Sequence, residues 1–331
     1  MRLVFCGTPQ FAVPAFKHLL GQNDFQLAAV ITQPDRARGR GREVSFSPVK
    51  QAALAAGVTV YQPQKIRQVD AQDLLQQIAP DAIVIIAYGQ IIPARLLPIP
   101  KLGWINLHAS LLPRYRGAAP INWAIVNGET KTGITTMRID AGMDTGDILL
   151  QREMEIGATE TAPELAARMA ELGAPMMATT LRGLAAGTIT GRAQNHNEAT
   201  VAPMLKREFG LADWSLTAWE LFNRIRGFAP WPGVYTYFRG HLCHVWGEPA
   251  ADGSSLGTGT NNNANVVPGA QAAESTSPGT LYPERDSVFV GCGGTTRLRL
   301  SAVKLEGRKQ VSAAEFLRGA RLQPGERFGQ T

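Results

Sequence analysis

Residues 81–110 read DAIVIIAYGQIIPARLLPIPKLGWINLHAS, in which two short apolar runs, AIVIIA and WINL, lie a short connection apart. Their β-branched content and length favour strands over helices, and runs apolar on both faces suit the interior of a parallel sheet. Upstream the same rhythm repeats. RLVFC, LAAVIT and VTVY alternate with the helical patterns FAVPAFKHLL, PVKQAALAAG and DAQDLLQQIA. The alternation predicts an α/β fold: a Rossmann-like, mostly parallel sheet with helices on both faces, filling residues 1–190. Ligands of such sheets bind beyond the carboxyl ends of the strands. GWINLHAS is a strand that turns polar at that end and runs on into the loop LHASLLPRYRG, so residues 106–117 are the first place to look for a site.

Downstream, TGITTMRI and ILLQREMEI read as a pair of strands, and apolar residues three and four apart predict a helix over about 161–186. A polar connector, residues 191–207, leads to a second domain, residues 208–331. There WELFNRIRGF is helical, and PWPGVYTYF, HLCHVWGEP, GTLYPERDSVFVGCGG and TTRLRLSAVKLEG are strand-like and punctuated by turns. A small C-terminal antiparallel β-barrel of the OB type is expected. Residues 251–278, rich in Gly, Ser, Asn, Thr and Ala and without periodicity, read as a flexible surface loop within it.

With 331 residues, 44% of them hydrophobic and 18% charged, the chain is long enough for two cores. The opening MRLVFCGTPQF breaks its apolar run too early for a signal peptide, and nothing approaches a membrane span. Three scattered cysteines, Cys6, Cys243 and Cys292, fit buried thiols in a reducing cytoplasm. The net charge of +6 admits a polyanionic partner. Most of the excess is spread along the chain, and its one concentration is RARGRGR, where Arg36, Arg38, Arg40 and Arg42 alternate with small residues after the second strand. This reads as a mobile basic loop at the carboxyl edge of the sheet, suited either to solvent or, more sharply, to phosphates. A dinucleotide fingerprint is excluded, because Gly7 is followed by Pro9 and Ala12 where further glycines are needed.

In a strand, residues two apart point to one side, about 7 Å apart. Asn106 and His108 therefore face one space. An amide donor and an imidazole flanking a carbonyl-sized gap suit reaction through a tetrahedral intermediate, the amide holding the oxyanion while the ring moves a proton. The plainer alternative is a capped strand end. A second segment, RIDAGMDTGDILL, places Asp140, Asp144 and Asp147 in one loop with Gly142 and Gly146. Calcium is disfavoured, since Gly142 and Gln151 stand where an EF-hand needs its third and twelfth ligands. A carboxylate that orients His108 is the better use, and spacing leaves open which aspartate provides it.

FCGTPQFAVPAF, QPDRARGRGREVSFSPVK, NLHASLLPRYRGAAPINWAI, TGITTMRIDAGMDTGDIL, IRGFAPWPGVYT and SAAEFLRG together resemble the methionyl-tRNA formyltransferase family, nearly end to end. HASLLPRYRG and DAGMDTGDIL alone are also similar to glycinamide ribonucleotide formyltransferases and formyltetrahydrofolate hydrolases; the basic loop and the second domain favour tRNA. The resemblance implies transfer of a formyl group from 10-formyltetrahydrofolate to initiator methionyl-tRNA, in the cytoplasm, by a monomer, without a metal or a membrane. It implies Asn106, His108 and Asp144 as catalytic residues and Ser110, Leu111, Leu112 and Pro113 as folate contacts. Arg36, Arg38, Arg40 and Arg42 would meet the acceptor stem, Arg40 at the family's key arginine, and the C-terminal barrel would add to the tRNA surface.

Overall fold

The structure, a computed structural model, describes residues 1–38, 43–250 and 277–329. The chain divides into two compact units, Met1–Trp123 with Thr130–Met204, and Ala124–Glu129 with Leu205–Thr331.

The first unit is built on β1 (Arg2–Gly7), α1 (Val13–Leu20), β2 (Gln26–Ile31), β3 (Arg36–Arg38), β4 (Glu43–Ser45), α2 (Pro48–Ala55) and β5 (Val60–Tyr61). It continues through α3 (Val69–Ile78), β6 (Ala82–Ile86), β7 (Trp104–His108), β8 (Arg116–Gly117), the start of α4 (Pro120–Val126), whose last three residues fall in the second unit, β9 (Lys131–Arg138), β10 (Ile148–Glu155), α5 (Ala162–Ala185) and β11 (Val201–Ala202). Seven strands form one sheet in the order β10-β9-β7-β6-β1-β2-β5. The five from β7 to β5 are parallel, and β9 and β10 add an antiparallel edge. Alternation along β1 divides the core. Val4 and Cys6 pack with Ala71 and Leu75 of α3, whereas Phe5 meets Phe16 of α1 edge-on at 5.5 Å. Helix α5 starts with a capping box, in which the Glu164 carboxylate accepts from the Thr161 amide at 2.8 Å.

Of the basic segment, Arg36 and Arg38 do not lie in an irregular loop. They belong to β3, which pairs antiparallel with β4, Arg36 opposite Ser45 and Arg38 opposite Glu43. Pairing satisfies the extended backbone that composition alone reads as free. Arg40 and Arg42 lie outside the described residues.

The second unit contains α6 (Ala218–Gly227), β12 (Tyr235–Phe238), β13 (His241–Pro249), β14 (Leu281–Glu284), β15 (Ser287–Gly291), β16 (Arg297–Leu305), β17 (Val311–Ser312) and α7 (Ala313–Ala320). Its strands form a six-stranded antiparallel sheet, order β12-β13-β16-β15-β14, with β17 paired to β16. The expected strands are present. Among the described residues the antiparallel sheet is observed and no ladder joins β12 directly to β14; side-chain alternation specifies strands but not how the sheet curves. The loop expected at 251–278 falls, for residues 251–276, outside the described residues. No helix among the described residues is long and apolar enough to cross a membrane. All three cysteines are buried.

Candidate active site

Strand β7 is fixed on both sides, by β6 through Ile85 opposite Asn106 and by β9 through Met137 opposite Asn106 and Thr135 opposite His108. Its alternation turns Leu107 toward α5, at Gly173, and leaves Asn106 and His108 on the other face, in the wall of a cavity of about 760 Å³. The Asn106 side-chain amide is half-buried and makes no hydrogen bond to another described residue, so its donors are open to the cavity. His108 is only 6% exposed. Its Nε2 lies 2.9 Å from the carbonyl oxygen of Tyr115, and its Nδ1 lies 3.6 Å from Asp144 Oδ2. Both ring nitrogens thus face oxygen acceptors. The longer contact is an ion-pair distance, too long for a hydrogen bond in this geometry.

Each acceptor is held by a strained residue. Tyr115 has φ of 60° and Asp144 φ of 54°, in the left-handed region that costs a side chain about 1–2 kcal/mol. Local bonds hold them there. The Tyr115 amide donates to Thr200 Oγ1 at 2.8 Å, and the Gly117 amide donates to Asp144 Oδ2 at 2.8 Å. Gln194 Nε2 donates to the Asp144 and Gly146 carbonyls at 2.9 and 2.7 Å, and Gln194 Oε1 in turn accepts from Arg116 at 2.7 Å. Gly146 is required by space, because a Cβ there would lie 2.0 Å from the Arg138 carbonyl oxygen. Of the three aspartates, Asp140 uses its carboxylate within the loop, accepting from the Gly142 amide at 3.0 Å and Thr145 Oγ1 at 2.7 Å. Asp147 is exposed. The structure brings Asp144 to His108.

Ser110, Leu111, Leu112 and Pro113 do not line this cavity. They form the turn behind it. Ser110 Oγ donates to the Arg114 carbonyl at 2.6 Å, the Ser110 carbonyl accepts from Thr135 Oγ1 at 2.6 Å, and the Leu112 carbonyl accepts from Gln151 Nε2 at 2.8 Å. Leu112 packs on Met137 and Ile148, so its apolar side chain and these backbone groups are engaged in folding the turn. The cavity wall instead comes from Phe11, residues 87–92 after β6, and Ile139 and Met143, which sequence reasoning did not single out. A signal existed in AYGQII, the carboxyl end of the strand next to β7, where Ala87 and Gly89 have φ of 47° and 84°. Gln194, about fifty residues from its partners, carried none. Among the described residues no cluster of three His, Cys, Asp or Glu side chains could hold a metal ion.

Burial, with Cys6 nearby, pushes the Tyr88 phenol well above its ordinary range, and its hydroxyl has no hydrogen-bond partner among the described residues. At the base of β3, Lys50 and Gln62 hold the Asp35 carboxyl below its ordinary range.

The formyl transferase family model matches residues 1–181, and the formyl transferase C-terminal domain model matches residues 204–321. A methionyl-tRNA formyltransferase of Solibacter usitatus is 48% identical over 330 residues, covering 100% of this chain and 99% of that protein. One from Geobacter sulfurreducens is 44% identical, covering 100% and 97%. Among solved structures, the sugar 3N-formyltransferase WlaRD superposes with a TM-score of 0.61 at 17% identity, covering 93% of this chain and 99% of that one. HypX from Aquifex aeolicus, in complex with tetrahydrofolic acid, does so at 0.57 and 14%, covering 98% and 48%. These two likenesses are of fold.

Proposed function

The chain belongs to the methionyl-tRNA formyltransferase family, and from that premise we propose how its own residues move a formyl group from 10-formyltetrahydrofolate to the amine of initiator methionyl-tRNA. The observation that carries the reading is the open Asn106 amide beside His108 on one face of β7, with Asp144 Oδ2 3.6 Å from the ring. Asn106 donates to the oxygen of the formyl group as the amine bonds to its carbon and negative charge gathers there. His108 takes the proton the amine must lose and returns it to N10 of the folate, so that the carbon–nitrogen bond breaks to a neutral leaving group. Asp144 keeps the ring oriented and favours its charged form while it holds that proton.

The pterin occupies the 760 Å³ cavity against residues 87–92, Ile139 and Met143, an apolar wall with few polar anchors. Ser110, Leu111, Leu112 and Pro113 contribute to the donor site from behind, as the turn that fixes the end of β7. Arg36, Arg38, Arg40 and Arg42 meet the phosphates of the acceptor stem, and the C-terminal unit extends that surface. All three proposed catalytic residues lie in one unit of one chain, which supports reading the enzyme as a monomer, and a tRNA substrate supports a cytoplasmic location.

The deciding assay is formyl transfer from 10-formyltetrahydrofolate to methionyl initiator tRNA, beside methionyl elongator tRNA, glycinamide ribonucleotide and a control without acceptor. Transfer confined to initiator tRNA is expected. Transfer to the small amine, or release of formate without tRNA, would assign the same residues to a different formyl-folate enzyme, and absence of turnover would leave an RNA-binding protein.

A further inference from the structure

Gln194 belongs to the stretch expected as a connector, yet it is buried and sits within the first unit. Its backbone is fixed from both sides. Arg192 exchanges amide-to-carbonyl bonds with Ile148, at 2.8 and 2.9 Å, and Val201 and Ala202 of β11 pair with Arg116 and Gly117 of β8. The side chain then uses both ends. Its Nε2 donates to the carbonyls of Asp144 and Gly146, and its Oε1 accepts from Nε and Nη2 of Arg116, at 3.1 and 2.7 Å. The opposite amide orientation would set its oxygen against two carbonyls and its NH2 against a guanidinium that only donates, so one orientation alone satisfies every group.

These bonds close a ring about Asp144. Its carbonyl is held by Gln194, Gln194 is held by Arg116, and the next residue, Gly117, donates its amide to the Asp144 carboxylate. Backbone and side chain of Asp144 are thus both tied to one two-residue strand, and Tyr115, just before that strand, offers the carbonyl that faces His108 Nε2. Asp144 has a positive φ, which a side chain rarely adopts unaided, and its Oδ2 is the oxygen 3.6 Å from His108 Nδ1. We propose that Gln194 is a positioning residue for formyl transfer, acting through the backbone of Asp144 to set the distance and direction of that carboxylate from His108. The inference rests on the formyl-transfer reading and deepens it. Glutamine suits the place because it offers two N–H donors beside an acceptor; glutamate, of the same length, keeps the bond to Arg116 and loses both donors.

Gln194→Ala and Gln194→Glu in the full chain test the proposal by steady-state formylation of methionyl initiator tRNA. Both should lower kcat about 10- to 100-fold, the effect of misplacing a reacting group by about an ångström. KM for donor and tRNA should stay within about twofold, since Gln194 does not line the cavity. In an Asp144→Ala background the same substitutions should change kcat by less than about twofold, because no carboxylate is left to place. His108 is followed directly by 15N NMR of histidine-labelled protein, its ring signals assigned by their loss in His108→Ala. Gln194→Glu should move those signals and leave the signals of His241 and His244, in the second unit, in place. Unmoved His108 signals, or a kcat within about twofold of wild type, overturns the proposal. So does an equal fold-loss with and without the Asp144 carboxylate, which marks a general loss of structure. Should Gln194→Ala fail to fold, Gln194→Glu, which retains the bond to Arg116, decides. If wild type transfers no formyl group, the His108 signals still decide the positioning, and only the catalytic reading falls.

Discussion

At the residue scale, the proposed chemistry rests on two groups of different kind. Asn106 has donors open to the cavity, and its replacement by Ala should lower kcat about 10²- to 10³-fold, the usual effect of deleting an oxyanion donor. His108→Ala should cost about 10²- to 10⁴-fold. Near-wild-type turnover of either variant in the single-turnover formylation assay would remove that residue from the mechanism. Asp144→Asn retains an oxygen for the Gly117 amide but loses the charge facing His108, so its turnover should fall between wild type and His108→Ala. Tyr88 makes a prediction of opposite sign. Its buried hydroxyl has no partner among the described residues, and removing an unsatisfied donor relieves its desolvation. Tyr88→Phe should therefore match wild type in stability or exceed it by about 1 kcal/mol in a denaturant titration, and a loss of several kcal/mol would show that the hydroxyl is bonded in solution.

At the element scale, the site depends on how closely α5 lies on β7. A Cβ at Gly173 would come within 2.5 Å of Leu107 Cδ2, on the strand that carries Asn106 and His108. Gly173→Ala should cost about 1–3 kcal/mol of stability by overpacking and lower kcat with it; unchanged unfolding midpoint and kcat would show that the helix has room to move. The hairpin of β3 and β4 is anchored by Asp35, whose carboxyl is held below its ordinary value of 3.8, first by the hydrogen bond from Lys50. A lowered folded-state value stabilises the protein above the unfolded-state value and is lost as pH falls through the folded one. The stability advantage of wild type over Asp35→Asn should thus be complete above about pH 5 and shrink in stronger acid. A difference independent of pH from 2 to 7 would refute the pairing as its source.

For the whole molecule, the charge pattern predicts a division between the two substrates. KM for methionyl-tRNA should rise steeply with salt, because phosphate contacts release counterions, while the folate dependence stays nearly flat. Arg40→Ala should reduce that salt slope and raise KM for the tRNA far more than for the donor. Equal damage to both substrates would place Arg40 outside the tRNA contact.

The order of residues alone specifies the alternation of strands and helices, the period-two pairing of Asn106 with His108, the glycine-bearing aspartate loop and a polar turn at a carboxyl strand end. These follow from local periodicity, which the chain states residue by residue. Tertiary structure decided the rest, because it depends on contacts between distant segments. It turned Asp144 toward His108 and kept Asp140 within its own loop, engaged Ser110 and Leu112 in a turn, and drew the cavity wall from residues 87–92. Gln194 is the clearest case. Nothing in its neighbourhood marks it, yet its amide bonds the carbonyls of Asp144 and Gly146 about fifty residues away, and that bond exists only once the folded backbone brings both ends together.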